Sequence, residues 1–285
     1  YWLLINGEMA VFEGCLKRGP RPGDSYCDEV DIAPFVKKGE NTIAILVWHF
    51  GKSGFSHIDS GHSYLMLDAP SINLTTDSSW LCRIHPAYGT CPDPQPNYRL
   101  SEANVSFDAR KDIPGWQTMP CAKLKGAGFI AAKVLEEPGC GNLDIRPIPQ
   151  WKLFDVETVT GFVRSGDSAI VTLPYNMQIT PIVEIDDPAG GNTVRIETDH
   201  AFHGNAHNNR AQYVTRKGIQ TYESLAWLNG EKIVVICDNP CVGIKSIGYR
   251  QSGYDTSPEG TFTCSDDFYK RFWPKALNTL SVHMR

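Results

Sequence analysis

The stretch "VEIDDPAGGNTVRIETD", Val183–Asp199, decides the fold class. Val183 and Ile185 before its centre, and Val194 and Ile196 after it, alternate with polar neighbours. A period of two is the pattern of strands that bury one face. Between them Pro188-Ala189-Gly190-Gly191-Asn192 is a turn signal: proline stops the first strand and the glycines accept the reversal. The stretch reads as a hairpin. The same grammar continues downstream, where "AQYVTR" and "QTYES" flank Lys217-Gly218, and "SLAWL" and "KIVVIC" flank Asn229-Gly230. About 110 residues of short strands with regular turns predict an antiparallel β-sandwich.

Upstream, Asn6-Gly7 separates "YWLLI" from "EMAVFEG" and is a strong hairpin signal, because both positions favour positive φ. Lys38-Gly39-Glu40-Asn41 launches "TIAILVW", a run rich in β-branched residues. "PAYGTCPDPQPNY", Pro86–Tyr98, is too rich in Pro and Gly for a regular element and reads as a long loop. Pro147 and Pro149 in "IRPIPQW" mark a stiff boundary. The expectation is a mainly β protein with one sandwich over 1–148, a second over 149–258 and a helical segment over 259–285.

That last segment changes period. In "FTCSDDFYKRFWPKALNTLSVHMR", Phe262–Arg285, Ser265 is the expected N-cap, and Asp266 and Asp267 follow where a helix dipole favours negative charge. Phe268, Phe272, Ala276, Leu280 and Met284 recur every four residues, and Leu277 widens the stripe. Pro274 is expected to kink or split this helix. Nothing upstream reads as a helical partner, so the stripe predicts a partner encoded elsewhere. The opening "YWLLI" starts in mid-pattern without a Met, so the chain reads as a fragment of a longer protein.

The chain has 285 residues, 41% hydrophobic and 21% charged, with a net charge of −5. That balance supplies a core and offers no basic face for nucleic acid or an anionic membrane. No run of eighteen apolar residues occurs, so no membrane-spanning helix is expected. Nine cysteines are scattered without a C-x-x-C pair; most of them read as small buried hydrophobes, and they leave the compartment undecided.

No stretch carries a convincing catalytic set. His200, His203 and His207 beside Asp199 are the right ligand types for zinc, but their Gly- and Asn-rich surroundings read as an exposed polar loop. Gly126–Ala131 matches G-x-G-x-x-A without the apolar strand that a dinucleotide site needs before it. No G-x-S-x-G occurs. Asp186-Asp187 point to opposite faces of a strand, Asp266-Asp267 are helix-start charge, and Glu136-Glu137 read as solvated. None is a glycosidase acid pair. Trp48, His49, Phe50, Phe55, His57, His62 and Tyr64 cluster around one loop, as a sugar-holding face would or as plugs of a sandwich end. Sequons stand at Asn73-Leu74-Thr75 and Asn104-Val105-Ser106, and carry meaning only where the source glycosylates. No catalytic, cofactor or metal residue is assigned, and no cofactor is expected.

Several stretches together resemble the bacterial α-L-rhamnosidases, glycoside hydrolases with β-sandwich domains ahead of an (α/α)6 barrel. They are "SFDARKDIPGW" (Ser106–Trp116), "RPIPQW" (Arg146–Trp151), "LPYNMQITPIVEIDDPAG" (Leu173–Gly190), "YVTRKGIQTYESLAWLNGEKIVV" (Tyr213–Val235) and Gly248–Arg285. The resemblance implies that the first domain is galactose-binding-like and that Phe262–Arg285 enters the helical barrel. It also implies that the parent enzyme removes terminal α-L-rhamnose with inversion. The family's catalytic acids would lie beyond Arg285. The substrate would be a rhamnose-containing carbohydrate met mainly by the barrel, and the setting periplasmic or secreted. The alternative is a non-catalytic carbohydrate-binding module.

Overall fold

A computed structural model describes residues 1–16, 18–54, 59, 61–91, 104–137, 139–159, 161–199, 202–203, 206–207, 210–225 and 227–284. The chain forms two units, Tyr1–Pro86 with Asp112–Gln150, and Ala87–Lys111 with Trp151–Arg285. Strands predominate, and no helix among the described residues is long and apolar enough to cross a membrane.

The first unit begins with β1 (Trp2–Ile5), β2 (Glu8–Val11), β3 (Ser25–Cys27), β4 (Ile43–Leu46), β5 (Asp68–Ala69), β6 (Leu74–Thr75) and β7 (Leu81–Cys82). β1 pairs antiparallel with both β2 and β4. The predicted Asn6-Gly7 turn is present, with φ of 54° and 85°. It is tied to the turn before β4: Asn6 Nδ2 donates to Asn41 Oδ1 at 2.9 Å, and Thr42 N donates to Asn6 Oδ1 at 3.1 Å. One asparagine thus joins two turns distant in sequence. Leu3, Ile5 and Val11 bury their side chains, with Val30, Ile32, Phe35, Ile43 and Ile45 against them.

Residues 87–111 leave this unit carrying β8 (Tyr88–Thr90) and β9 (Val105–Asp108). The chain returns with α1 (Cys121–Leu124), β10 (Ile130–Ala131) on β7, and β11 (Leu143–Ile145) parallel to β3.

The second unit holds β12 (Val156–Val159), β13 (Val163–Ser165), β14 (Ser168–Asp187), β15 (Thr193–Thr198), β16 (Phe202–His203), β17 (Ala206–His207), β18 (Ala211–Val214), β19 (Gly218–Glu223), β20 (Leu228–Ile236), β21 (Gly243–Gln251) and α2 (Asp267–His283). β14 belongs to two strand sets. Its first part pairs with β13 and β20, and β20 leads on through β15, β18 and β9 to β8; its second part lies between β21 and β19. Ile179 is the changeover, facing Leu228 of β20 and Gln251 of β21. The register with β20 shifts between Thr172 and Met177, where Pro174, lacking an N–H, falls at the irregularity.

This pairing corrects the hairpin readings. β14 and β15 alternate as expected, yet they do not pair: β15 bonds to β20 and β18. The turn at Pro188–Asn192 therefore connects different strand sets. Likewise β18 and β19, on either side of Lys217, pair with other strands. Asn229-Gly230 is no turn at all but lies inside β20. A Cβ on Gly230 would come within 2.6 Å of Thr198 Cβ, so glycine serves close packing there.

Asp187 secures the Pro188–Asn192 connection. Its Oδ1 accepts from Ala189 N at 3.0 Å and Gly190 N at 2.9 Å; its Oδ2 accepts from Asn192 Nδ2 at 2.8 Å and from the Thr215 hydroxyl. Val183, Ile185, Val194, Ile196, Ile233, Val235 and Ile247 are all fully buried and form the core between these strands.

Candidate functional site

Hydrolysis of a glycoside needs two carboxyl groups flanking a cleft, one of them protonated near neutral pH. Several carboxylates among the described residues are engaged otherwise. Asp186 Oδ2 lies 3.2 Å from Lys245 Nζ, while the neighbouring Asp187 is buried in its turn, so the pair does point to opposite faces. Burial pulls the Asp187 carboxyl upward, but the hydrogen bonds from Thr215, Asn192, Gly190 and Ala189 outweigh it and hold the group at about 2. Asp108 is also held at about 2, chiefly by hydrogen bonds from Arg110. Both shifts are opposite to what a general acid needs. Glu157 Oε2 accepts from the Tyr249 hydroxyl at 2.8 Å, and Arg250 Nε is 2.6 Å from Glu223 Oε1. Glu136 and Glu137 are exposed.

The other sequence candidates fall as follows. His200 lies outside the described residues, as do the side chains of His203 and His207, although their backbones pair in β16 and β17. Asp199 is occupied, its Oδ1 accepting from Glu231 N at 2.8 Å and Lys232 N at 3.0 Å. Gly126–Ala131 runs from a turn after the four-residue α1 into β10, the reverse of the strand–turn–helix order of a dinucleotide site. All nine cysteines are free; Cys91, Cys140 and Cys237 are buried, whereas Cys15, Cys82, Cys121 and Cys241 are exposed.

Two aromatic groups remain. In the first unit, Trp48 stacks on the buried Trp2 with centroids 5.5 Å apart, and Phe50 meets Trp48 edge-on at 5.1 Å. His49 is exposed and its Nε2 lies 3.8 Å from Asp59 Oδ1. Phe55 and His57 lie outside the described residues. Trp48 is only half-buried, so the sequence's two readings, core plug and sugar face, both find an atom of support in the same ring.

In the second unit, α2 presents the other group. Its N-cap is Asp266, whose Oδ1 accepts from Phe268 N at 2.8 Å, one residue later than the expected Ser265. An aspartate fills the role because its carboxylate bonds the free amide and also complements the dipole. The helix runs on through Pro274 instead of splitting. Asn278 Nδ2 donates to Asn176 O of β14 at 3.0 Å, and Trp273, Leu277 and Asn278 are half-buried. The remaining flank is open: Phe268 is 59%, Phe272 52% and Leu280 58% exposed. Phe268 and Phe272 stack on each other at 5.9 Å, and Phe268 meets Tyr269 edge-on at 5.2 Å. The predicted stripe is therefore divided, one side against β14 and the other facing outward.

No protein-family model and no curated protein matches the chain. Solved structures do. One is the α-L-rhamnosidase from Dictyoglumus thermophilum, with 14% identity and a TM-score of 0.68 over 99% of this chain and 32% of that one. Another is the Streptomyces avermitilis α-L-rhamnosidase complexed with L-rhamnose, with 13% identity and a TM-score of 0.67 over 99% of this chain and 29% of that one. The chain thus spans about a third of the length of the structures it matches. The likeness is one of fold: nearly every residue of this chain has a place in the architecture of these two rhamnosidases.

Proposed function

We propose that the chain is the β-rich accessory portion of an α-L-rhamnosidase, which in its entirety removes terminal α-L-rhamnose with inversion. The single observation that carries the reading is the likeness in fold to two rhamnosidases over 99% of the chain. Two features agree with an accessory role. The carboxylates with large shifts are pushed toward the ionised form, and the open flank of α2 suits burial against further helices of the same enzyme. The residues that break the glycosidic bond then belong to sequence outside 1–285. The test is an assay with an aryl α-L-rhamnoside. The 285-residue chain is expected to give no turnover, whereas a longer chain containing it releases the β-anomer first, read by proton NMR. Turnover by the short chain, or release of the α-anomer, overturns the proposal.

The half-buried Trp48 beside exposed His49 favours a second reading, a carbohydrate-binding module that holds sugar without cleaving it. It requires saturable quenching of tryptophan fluorescence by L-rhamnose, abolished in Trp48→Ala. No saturable change removes this reading and leaves the first intact.

A further inference from the structure

The two sequons occupy opposite environments. Asn73 is the left-handed residue, φ 53°, that ends the short 3-10 turn Pro70–Ile72 and opens β6. Its backbone N–H is used, bonding to Pro70 O at 3.1 Å, and the residue is exposed. Thr75, two positions on, is exposed as well, and Ile72 beside them is 53% exposed. Asn104 is 2% exposed. Its Oδ1 accepts from Arg210 N at 3.1 Å and its own carbonyl accepts from Cys91 N at 3.0 Å, at the point where β9 enters its sheet. A glycan on the Asn104 amide would have to emerge through that buried contact, which the folded chain has no room for.

We infer that Asn73 is an N-glycosylation acceptor of this chain and that Asn104, despite its matching sequon, is not. The donor class is an oligosaccharide carried on a lipid diphosphate. The Asn73 amide nitrogen bonds to the anomeric carbon of the first sugar, the anomeric carbon–oxygen bond to phosphate breaks, the amide gives up a proton, and the lipid diphosphate leaves. The hairpin of β5 and β6, with Asp68 opposite Thr75 and Ala69 opposite Leu74, presents the acceptor at its tip. There the first sugar has space, and its apolar face can cover Ile72.

The experiment is secretion of the 285-residue chain from a eukaryotic host, followed by mass spectrometry of the folded, monomeric fraction before and after peptide N-glycosidase. One glycan is expected, at position 73. Asn73→Gln removes it, and Asn104→Asp leaves it in place. An unmodified Asn73 in the folded fraction, or a glycan at Asn104 in that fraction, overturns the inference. Near-ultraviolet circular dichroism of each variant establishes that the fraction measured is folded.

Discussion

Arg146 Nε lies 3.0 Å from Asp28 Oδ1, and the two side chains are only 3% and 1% exposed. Around this ion pair the Tyr1 hydroxyl and Cys15 N both donate to Asp28 Oδ2, at 2.8 and 2.6 Å, and Arg146 Nη2 donates to Cys15 O at 3.1 Å. Burial, then the charge of Asp28, pushes the Tyr1 phenol up. Removing Arg146 leaves the buried Asp28 carboxylate without its counter-charge. Arg146→Met is expected to destabilise the first unit by about 3–5 kcal/mol. Urea unfolding followed by tryptophan fluorescence measures it. A loss under about 1 kcal/mol, the range of an exposed pair, would contradict the burial described.

Acid should loosen the Pro188–Asn192 connection. Asp187 is held at about 2 when folded against an ordinary 3.8 when unfolded. Its contribution is therefore fully present above about pH 4 and is lost as the pH falls toward 2, an effect on the order of 2 kcal/mol. Asp108 titrates in the same window with the same sign. Asp187→Asn is expected to flatten the acid limb of stability without abolishing it. Urea midpoints at pH 5 and pH 3 give the slope, and an unchanged slope refutes the assignment.

Ile179 tests the changeover in β14. The side chain is fully buried where β20 and β21 meet the same strand. Ile179→Ala is expected to cost about 2–5 kcal/mol through lost burial and an unfilled cavity. The exposed Ile219→Ala, 65% exposed on β19, serves as the control and should change stability by about 0.5 kcal/mol or less.

The two sides of α2 predict opposite phenotypes. Asn278→Ala removes the bond to Asn176 O and is expected to cost about 1 kcal/mol. Phe272→Ser, on the open flank, should leave the melting temperature nearly unchanged while reducing self-association, read by sedimentation velocity. Destabilisation by Phe272→Ser comparable to that of Asn278→Ala would mean the open flank is already covered.

What the sequence discloses here is which face of a strand is buried, because alternation at Val183, Ile185, Val194 and Ile196 depends only on side-chain polarity. It does not disclose hydrogen-bonding neighbours. Pro188–Asn192 was legible as a turn, but whether a five-residue turn closes a hairpin or crosses between strand sets depends on partners such as β20 and β21, far along the chain. Asn229-Gly230 misled for a related reason: a glycine needed for close approach to Thr198 has the same spelling as one needed for a reversal. The pairing of β9 with β18, Ser106 opposite Gln212, has no local signal at all. At the candidate sites, the helix-start charge of Asp267 was readable from its neighbours, whereas the cap fell on Asp266, one residue past the expected Ser265. The ties of Asp199 to Glu231 and Lys232 were not readable, since a carboxylate's distant amide donors leave no mark on its own surroundings.

The double membership of β14 has a consequence for biogenesis. On the ribosome, residues 168–187 emerge with only the short β13 available as an edge partner, and β19, β20 and β21 must still be translated. Until β21 is out, a long apolar ribbon stands with unsatisfied edges, which invites pairing with other nascent chains. Slowing elongation between residues 188 and 251 should therefore lower soluble yield more than an equal delay placed before β14.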